Sequence, residues 1–473
     1  SLLLGPVMCG VRLQKTATEP ALTGTQTASS DRRPLIVQPP LLPSNSCSSG
    51  PRRNSPGTNH GQPFTSVASS SATQQLTWFC GANCGHALGG REMQLEGVLL
   101  PGTPDSRVGH ASPDVDAPKP HPQVRAFYTR DEWDIAVEPV HFLAEAVDVF
   151  HNGYGDGPKR PSRAILEKQR KATLKGVSPA HAFALDMRRR TRVPQGIIAC
   201  AHGGTSMAQW SPELRDQGGA SLYGAMMRRY EKLGQKVAGV LWYQGESDAN
   251  KEAAKIYTQN MKNLVQATRD DMGIEQLPWL VVQIGCHAAP DGKYWNSVQE
   301  QQRLLPKVIE KLDVAPTVDL SIDDGIHISG VGQQMLGKRL ARLASRLVFK
   351  DPKEKSGIYL KGVSCAVKSP KPGDPKTIVV ELEYGNVKGK LQSQGLPTGF
   401  TMIDAKGKAF PSLYKITLRG NRVLLETGQT MDLLKTLAVS YGHDRHPYCN
   451  ITDADGMSLP AMQRVPIQGS HAS

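Results

Sequence analysis

The chain has 473 residues, of which 39% are apolar and 6% aromatic, enough for two or three domains and a sizeable core. Its formal charge of +13 raises the question of a nucleic-acid partner. Lys and Arg are, however, spread over helix faces such as Lys338, Arg339, Arg342 and Arg346, where they suit the macrodipole at a helix end. No zinc finger, RNP-like motif or basic–aromatic repeat accompanies them, so nucleic acid is not an expected partner. No run approaches the ~20 continuous apolar residues of a membrane helix, and no span is expected.

Residues 1–75 are rich in Ser, Thr, Pro, Gly and Asn. Such a low-complexity segment buries too little apolar surface to offset its ordering entropy and is expected to be disordered. Ser1-Leu-Leu-Leu-Gly-Pro-Val resembles the end of a leader's apolar stretch without the basic start, so no clear signal peptide is read. A secreted or periplasmic location is the expectation. Cys80-x3-Cys84 with His86 has no second pair at ligand spacing, and no metal is expected there.

An esterase-sized α/β domain is expected over 76–350. Leu76-Thr-Trp-Phe-Cys80 reads as a short buried strand, and Ile197-Ile-Ala-Cys200 as another. Leu222, Met226, Tyr230 and Leu233 recur at helical spacing, with Gly234 placed to stop the helix. Val237–Tyr243 is the next strand. Ile256, Met261, Leu264, Val265 and Thr268 mark a helix ending near Gly273. Leu280–Gly285 and Val318–Ile322 read as two further strands. A last helix starts near Ser329, with Val331, Met335, Leu336, Leu340, Leu343 and Leu347 on one face. This alternation predicts βαβ units and a parallel sheet. Over 351–473 the period becomes 2, as in Thr377–Tyr384 and Arg422–Thr427, which predicts a small all-β unit of the sandwich kind.

Three strand ends carry polar residues, where doubly wound sheets gather their functional groups. His202-Gly203-Gly204-Thr205-Ser206 has two glycines that let the backbone turn and present N–H groups to an oxyanion. Gln244-Gly245-Glu246-Ser247-Asp248 follows an apolar run directly; Ser247 or Asp248 would cap the next helix. In Asp323-Asp324-Gly325-Ile326-His327 the glycine bends the chain so that Asp324 reaches the imidazole. Such a carboxylate sets the tautomer of a histidine acting as general base.

His202–Trp210, Gly239–Asp248 and Asp323–Gly332 together resemble the sialate O-acetylesterase family of SGNH hydrolases; Trp242-Tyr-Gln-Gly-Glu-Ser247 is the most specific string. The resemblance extends over about 120–465, from His121-Pro-Gln-Val-Arg to Gly456-Met-Ser-Leu-Pro460. It implies a flavodoxin-like three-layer fold with a C-terminal all-β domain, hydrolysis of an acetylated carbohydrate, and no metal or organic cofactor. By the same resemblance Asp324 and His327 are catalytic. Gly203, Gly204, Thr205, Ser206, Gln244, Gly245 and Glu246 would surround the oxyanion and substrate, with Glu246 holding the loops. The family's nucleophile is the serine of Gly-Gln-Ser-Asn after the first strand. This chain has Gly81-Ala-Asn-Cys84 there or, in a second register, Gly89-Gly-Arg-Glu-Met93, and neither contains Ser. An error of reading frame upstream is the first explanation, a carbohydrate-binding pseudoenzyme the second, and Cys84 as a substitute nucleophile the third.

Overall fold

A strand that is apolar at every position is stable only when both sheet faces are covered, and Val237–Trp242 and Trp279–Val282 are of that kind. The computed structural model describes residues 76–78, 97–100, 117–154, 159–172, 176–288, 292–368 and 377–469. Strands β1 (Leu76–Trp78), β2 (Gly97–Leu100), β3 (Val124–Phe127), β4 (Trp133–Ile135), β5 (Gln195–Ala199), β6 (Val237–Trp242), β7 (Trp279–Val282) and β8 (Leu312–Ala315) form one sheet. Its order is β4-β3-β5-β2-β6-β7-β8, with β1 also on β5. Every pairing is parallel except β4 against β3. The C-terminal ends of β5, β6, β7 and β8 therefore share one rim.

Helices α1 (Pro179–Thr191), α2 (Leu222–Lys232), α3 (Ala253–Met272), α4 (Lys293–Leu304) and α5 (Gly330–Leu347) connect and flank the strands. Ser221 and Ser329 cap α2 and α5 by accepting from Gly224 N and Gly332 N. Gly234 and Gly273 take left-handed conformations just past α2 and α3. The apolar stripe of α2 is buried as expected, at Leu222, Met226 and Tyr230.

Several expectations need correction. The strand read at Val318–Ile322 is instead Leu312–Ala315; 318–322 is loop, with one bridge between Ile322 and Ile328. Asp313 hides the true strand by interrupting its apolar run, yet it is buried and accepts from Val314 N and Gly357 N. In α3 the residue facing inward is Tyr257, while Ile256 points to solvent. In α5, Val331 and Met335 are exposed, unlike Leu336, Leu340 and Leu343. Nor are the basic residues of α5 simply a solvated helix end: Arg339 is buried against Asp319, and Arg342 against Asp453.

Among the described residues from Tyr359 onward there are short strands and one helical turn, Met431–Leu434. Strands Leu413–Arg419, Arg422–Thr427, Thr377–Gly385, Tyr359–Lys368 and Gln468–Gly469 make a five-stranded sheet in that order. Ala409–Phe410, Phe400–Ile403, Ala438–Tyr441 and Met462–Pro466 make a second sheet, of four. Pairings are antiparallel apart from Gln468–Gly469 on Tyr359–Lys368. The described residues from Leu76 to Gly469 belong to one compact unit, and its apolar core runs on from Val124 to Ile467.

Candidate active site

The turn after β5 is drawn tight by its own side chains. Gly204 has φ +65°, a left-handed conformation that favours glycine. Thr205 is buried; its hydroxyl donates to the His202 carbonyl at 2.8 Å and accepts from Trp210 Nε1 at 3.0 Å. Gly203 is half-buried beside it. Ser206 N and Ser206 Oγ both donate to Gln209 Oε1, at 3.0 and 3.3 Å, so this hydroxyl is engaged in starting the turn Met207–Trp210. Behind the turn, His141 Nε2 accepts from Ala201 N at 3.1 Å, and His151 Nδ1 lies 3.1 Å from His202 Nδ1. Burial disfavours the charged form of all three imidazoles and lowers their pKa values.

The loop after β6 is tied to that turn by a carboxylate. Asp248 Oδ2 accepts from Met207 N at 2.9 Å and also from the Gln244 amide. Gln244 Nε2 donates in addition to the Thr205 carbonyl at 3.0 Å. Burial raises the Asp248 pKa despite these donors. Asp248 therefore crosses to the neighbouring loop and does not cap α3; Asn250 Oδ1 instead accepts from Glu252 N and Ala253 N. Gly245 is pressed against Gln302, Ile284 and Val298, leaving no room for a β-carbon. Glu246 is half-buried and opens the short turn Glu246–Asp248.

The loop after β8 is stapled into a tight bend. Asp323 N donates to the His327 carbonyl at 2.9 Å. Asp324 Oδ1 accepts from the N–H groups of Ile326 and His327, each at 2.9 Å, and Asp324 Oδ2 meets His327 Nδ1 at 2.6 Å. Partial burial works against the Asp324 charge, yet these donors outweigh it and hold its pKa below the usual value. With Nδ1–H directed to the carboxylate, Nε2 is left as the basic nitrogen.

The end of β7 links the loops on either side. Gln302 Oε1 accepts from Ile284 N at 2.9 Å, while Gln302 Nε2 donates to the Gln244 carbonyl at 2.8 Å. Ala288 N donates to the Gly325 carbonyl at 2.7 Å. The C-terminal strands contribute a loop here as well: His446 N donates to the His287 carbonyl, and Asp444 N to Asn296 Oδ1. Gln302, His141 and Asn296 were not singled out from sequence as parts of this rim, because their bonds join distant segments, and Asp248 was read only as a possible helix cap. Among the described residues no group of three or more His, Cys, Asp or Glu could hold a metal ion. The segments read as Cys80–Cys84 with His86, 81–84 and 89–93 lie outside the described residues.

A protein of Arabidopsis thaliana described as a probable carbohydrate esterase is 34% identical over 178 residues, covering 35% of this chain; the chain spans 63% of that relative's length. A carbohydrate acetylesterase from Xanthomonas citri superposes with a TM-score of 0.56 at 20% identity, covering 78% of this chain and 81% of its own, which establishes a common fold. A solved structure of an Arabidopsis thaliana protein, 27% identical over 47% of this chain and 81% of its own, gives a TM-score of 0.37. Residues 107–346 match the carbohydrate esterase family of sialic acid-specific acetylesterases. With half of its length and all three strand-end loops inside that match, the chain belongs to this family.

Proposed function

We propose that this protein hydrolyses O-acetyl esters on a sugar or polysaccharide, with His327 as general base and Asp324 as the group that orients and charges it. The reading carries with it a flavodoxin-like three-layer SGNH architecture over 76–350 and an all-β domain over 351–473. The observation that carries the chemistry is the 2.6 Å contact between His327 Nδ1 and Asp324 Oδ2. In it, Asp324 is itself fixed by two backbone N–H groups. His327 Nε2 takes the proton of the attacking oxygen or sulfur, Asp324 stabilises the imidazolium, and the proton passes to the sugar oxygen as its bond to the acetyl carbon breaks; a water deprotonated by the same imidazole then releases acetate from the nucleophile. N–H groups of the Gly203–Gly204 turn face the negative charge that develops on the acetyl oxygen. Gln244, with Asp248, holds this turn in register with the loop that begins at Gly245.

A base needs a nucleophile to activate, and neither 81–84 nor 89–93 has serine at the family's position. The chain as written is therefore expected to be a poor esterase, at the residual level of roughly 10³–10⁴-fold over water that a triad site retains without its nucleophile. Acetate release from O-acetylated sialic acid and from p-nitrophenyl acetate tests this in three proteins. They are the parent, the triple variant Ala82→Gln, Asn83→Ser, Cys84→Asn, and the triple variant Gly90→Gln, Arg91→Ser, Glu92→Asn. One of the two restored chains should gain at least about a hundredfold, the lower end of what a positioned base contributes, and lose it again when His327→Ala is added. Equal rates in all three, indifferent to His327→Ala, would overturn the assignment.

A further inference from the structure

Helix α5 begins three residues after His327, and its first turns are unusual for a helix otherwise packed inward. Val331 and Met335, one turn apart on the same face, are 56% and 40% exposed. Met335 leads into a cavity of about 660 Å³ whose wall includes Asp319, Gln392, Gln394, Tyr448 and Asn450. Asp319 sits five positions before Asp324 in the same loop, so the cavity adjoins the loop that carries the dyad. Its opposite wall comes from the C-terminal strands, through the loop already seen to bond to His287 and Asn296 at the rim.

The chemistry of this wall is amphipathic and carries little net charge. Asp319 is paired with Arg339, so it offers no free carboxylate. The Asn450 amide donates to the carbonyls of Gln394 and Leu396, and Asn450 Oδ1 accepts from Thr398 N. Thr398 Oγ1 donates to the Tyr448 carbonyl at 2.7 Å. The Tyr448 backbone is thus fastened while its side chain remains 70% exposed. An uncovered phenol ring on an anchored backbone, beside the exposed side chains of Gln392 and Gln394, matches a sugar unit, which presents a C–H face to an aromatic ring and hydroxyls to polar groups. A volume in the range of ordinary ligand pockets accommodates such units.

We propose that the Val331–Met335 stripe and the Tyr448 cavity form a subsite for the neutral backbone of a glycan whose acetylated unit lies at His327. The proposal rests on the carbohydrate reading above and adds to it that the substrate is a chain, gripped away from the ester by the C-terminal β unit. Partially acetylated cello-, xylo- and manno-oligosaccharides of five units, and the acetylated monosaccharides, are the probes. Binding of each is measured calorimetrically to the full chain, to Tyr448→Ala, to Tyr448→Phe and to Met335→Ser. At least one pentamer should bind about tenfold more tightly than its monomer, the scale of one well-placed aromatic contact. Tyr448→Ala should remove most of that preference and Met335→Ser part of it, while Tyr448→Phe should keep it. Equal affinity for pentamers and monomers, or a preference untouched by Tyr448→Ala, overturns the proposal. So does a parent that sediments as a dimer dissociated by Tyr448→Ala, which would assign the patch to a second copy. Acetate release recorded on the two nucleophile-restored triple variants separates the two readings. A pentamer preference in the parent with no gain of turnover in either restored variant sinks the esterase assignment alone, and restored turnover without a pentamer preference sinks the subsite alone.

Discussion

Removing the Asp248 carboxylate would leave Met207 N–H buried without its acceptor and take from the Gln244 amide one of its two acceptors. An unpaired buried donor costs about 1–3 kcal/mol, so Asp248→Ala should lower the unfolding free energy by that amount. Asp248→Asn, which keeps a carbonyl oxygen for Met207 N, should lose less. Urea titration followed by tryptophan fluorescence reads both, and an unshifted midpoint for Asp248→Ala would show that the two loops are held by other contacts. The contrast with Asp324 explains what could be read from sequence at this scale. Asp324 and His327 bond across three residues, so spacing alone suggested their contact. Gln302 reaches Gln244 across 58 residues and Ile284 across 18, and no local pattern announces such a side chain. Asp248 was visible in the motif, but its obvious local use as a helix cap concealed the longer-range bond it makes.

At the scale of elements, periodicity located strands and helices wherever apolar residues alone fill the buried face. It found β5, β6, β7 and α2 on that basis. It failed at α4, where Asn296, Gln299 and Gln302 are buried beside Trp295 and Val298, the Gln299 and Gln302 amides bonded to the loop after β7 and the Asn296 amide to Gln299 and Asp444. It failed at β8 for the same reason, because Asp313 is paired internally. The packing of α5 on α1 gives a prediction that propensity alone would get backwards. A glycine within a helix normally gains about 0.5–1 kcal/mol on replacement by alanine. At Gly337, however, an added β-carbon would stand 2.4 Å from the Pro179 carbonyl oxygen and 2.7 Å from both Ala182 Cβ and Phe183 N. Backbone atoms of α1 cannot rotate aside, so the helices must separate. Gly337→Ala should therefore destabilise the protein by about 1–3 kcal/mol, the usual cost of overpacking. Thermal unfolding is the measurement, and a raised midpoint would mean that α1 and α5 are less closely packed than described.

For the molecule as a whole, buried ionisable groups of opposite sense set the pH at which the fold is most stable. The imidazoles of His141, His151, His181 and His202 are disfavoured as cations by burial, His181 down to about 4. Their folded pKa values lie below the unfolded one. The stability they contribute is present above the ordinary histidine pKa and is lost as pH falls through the folded values. Buried carboxyls work in the other direction. Burial pushes Glu138 up to about 8, Glu145 to about 7 and Asp313 to about 6. Each is held protonated in the folded chain while the unfolded chain has already released its proton. Stability from this source is full below the ordinary carboxylate pKa and declines as pH rises to the folded value. From about pH 6.5 upward the histidines are mostly neutral in both states, by their ordinary pKa. Only Glu138 and Glu145 then still differ between the folded and unfolded chains among these groups. Stability should accordingly pass through a maximum near pH 6–6.5 and fall by roughly 1–3 kcal/mol on the way to pH 8. Below the maximum, the four histidines and the depressed carboxylates Asp131 and Asp324 lower it again. Denaturant midpoints taken at half-unit steps from pH 4.5 to 8.5 would trace this curve. A midpoint still rising between pH 7 and pH 8 would mean that Glu138 and Glu145 are ionised in the folded protein, the Ser178 donors on Glu138 and the Arg130 and Arg170 guanidiniums on Glu145 outweighing burial.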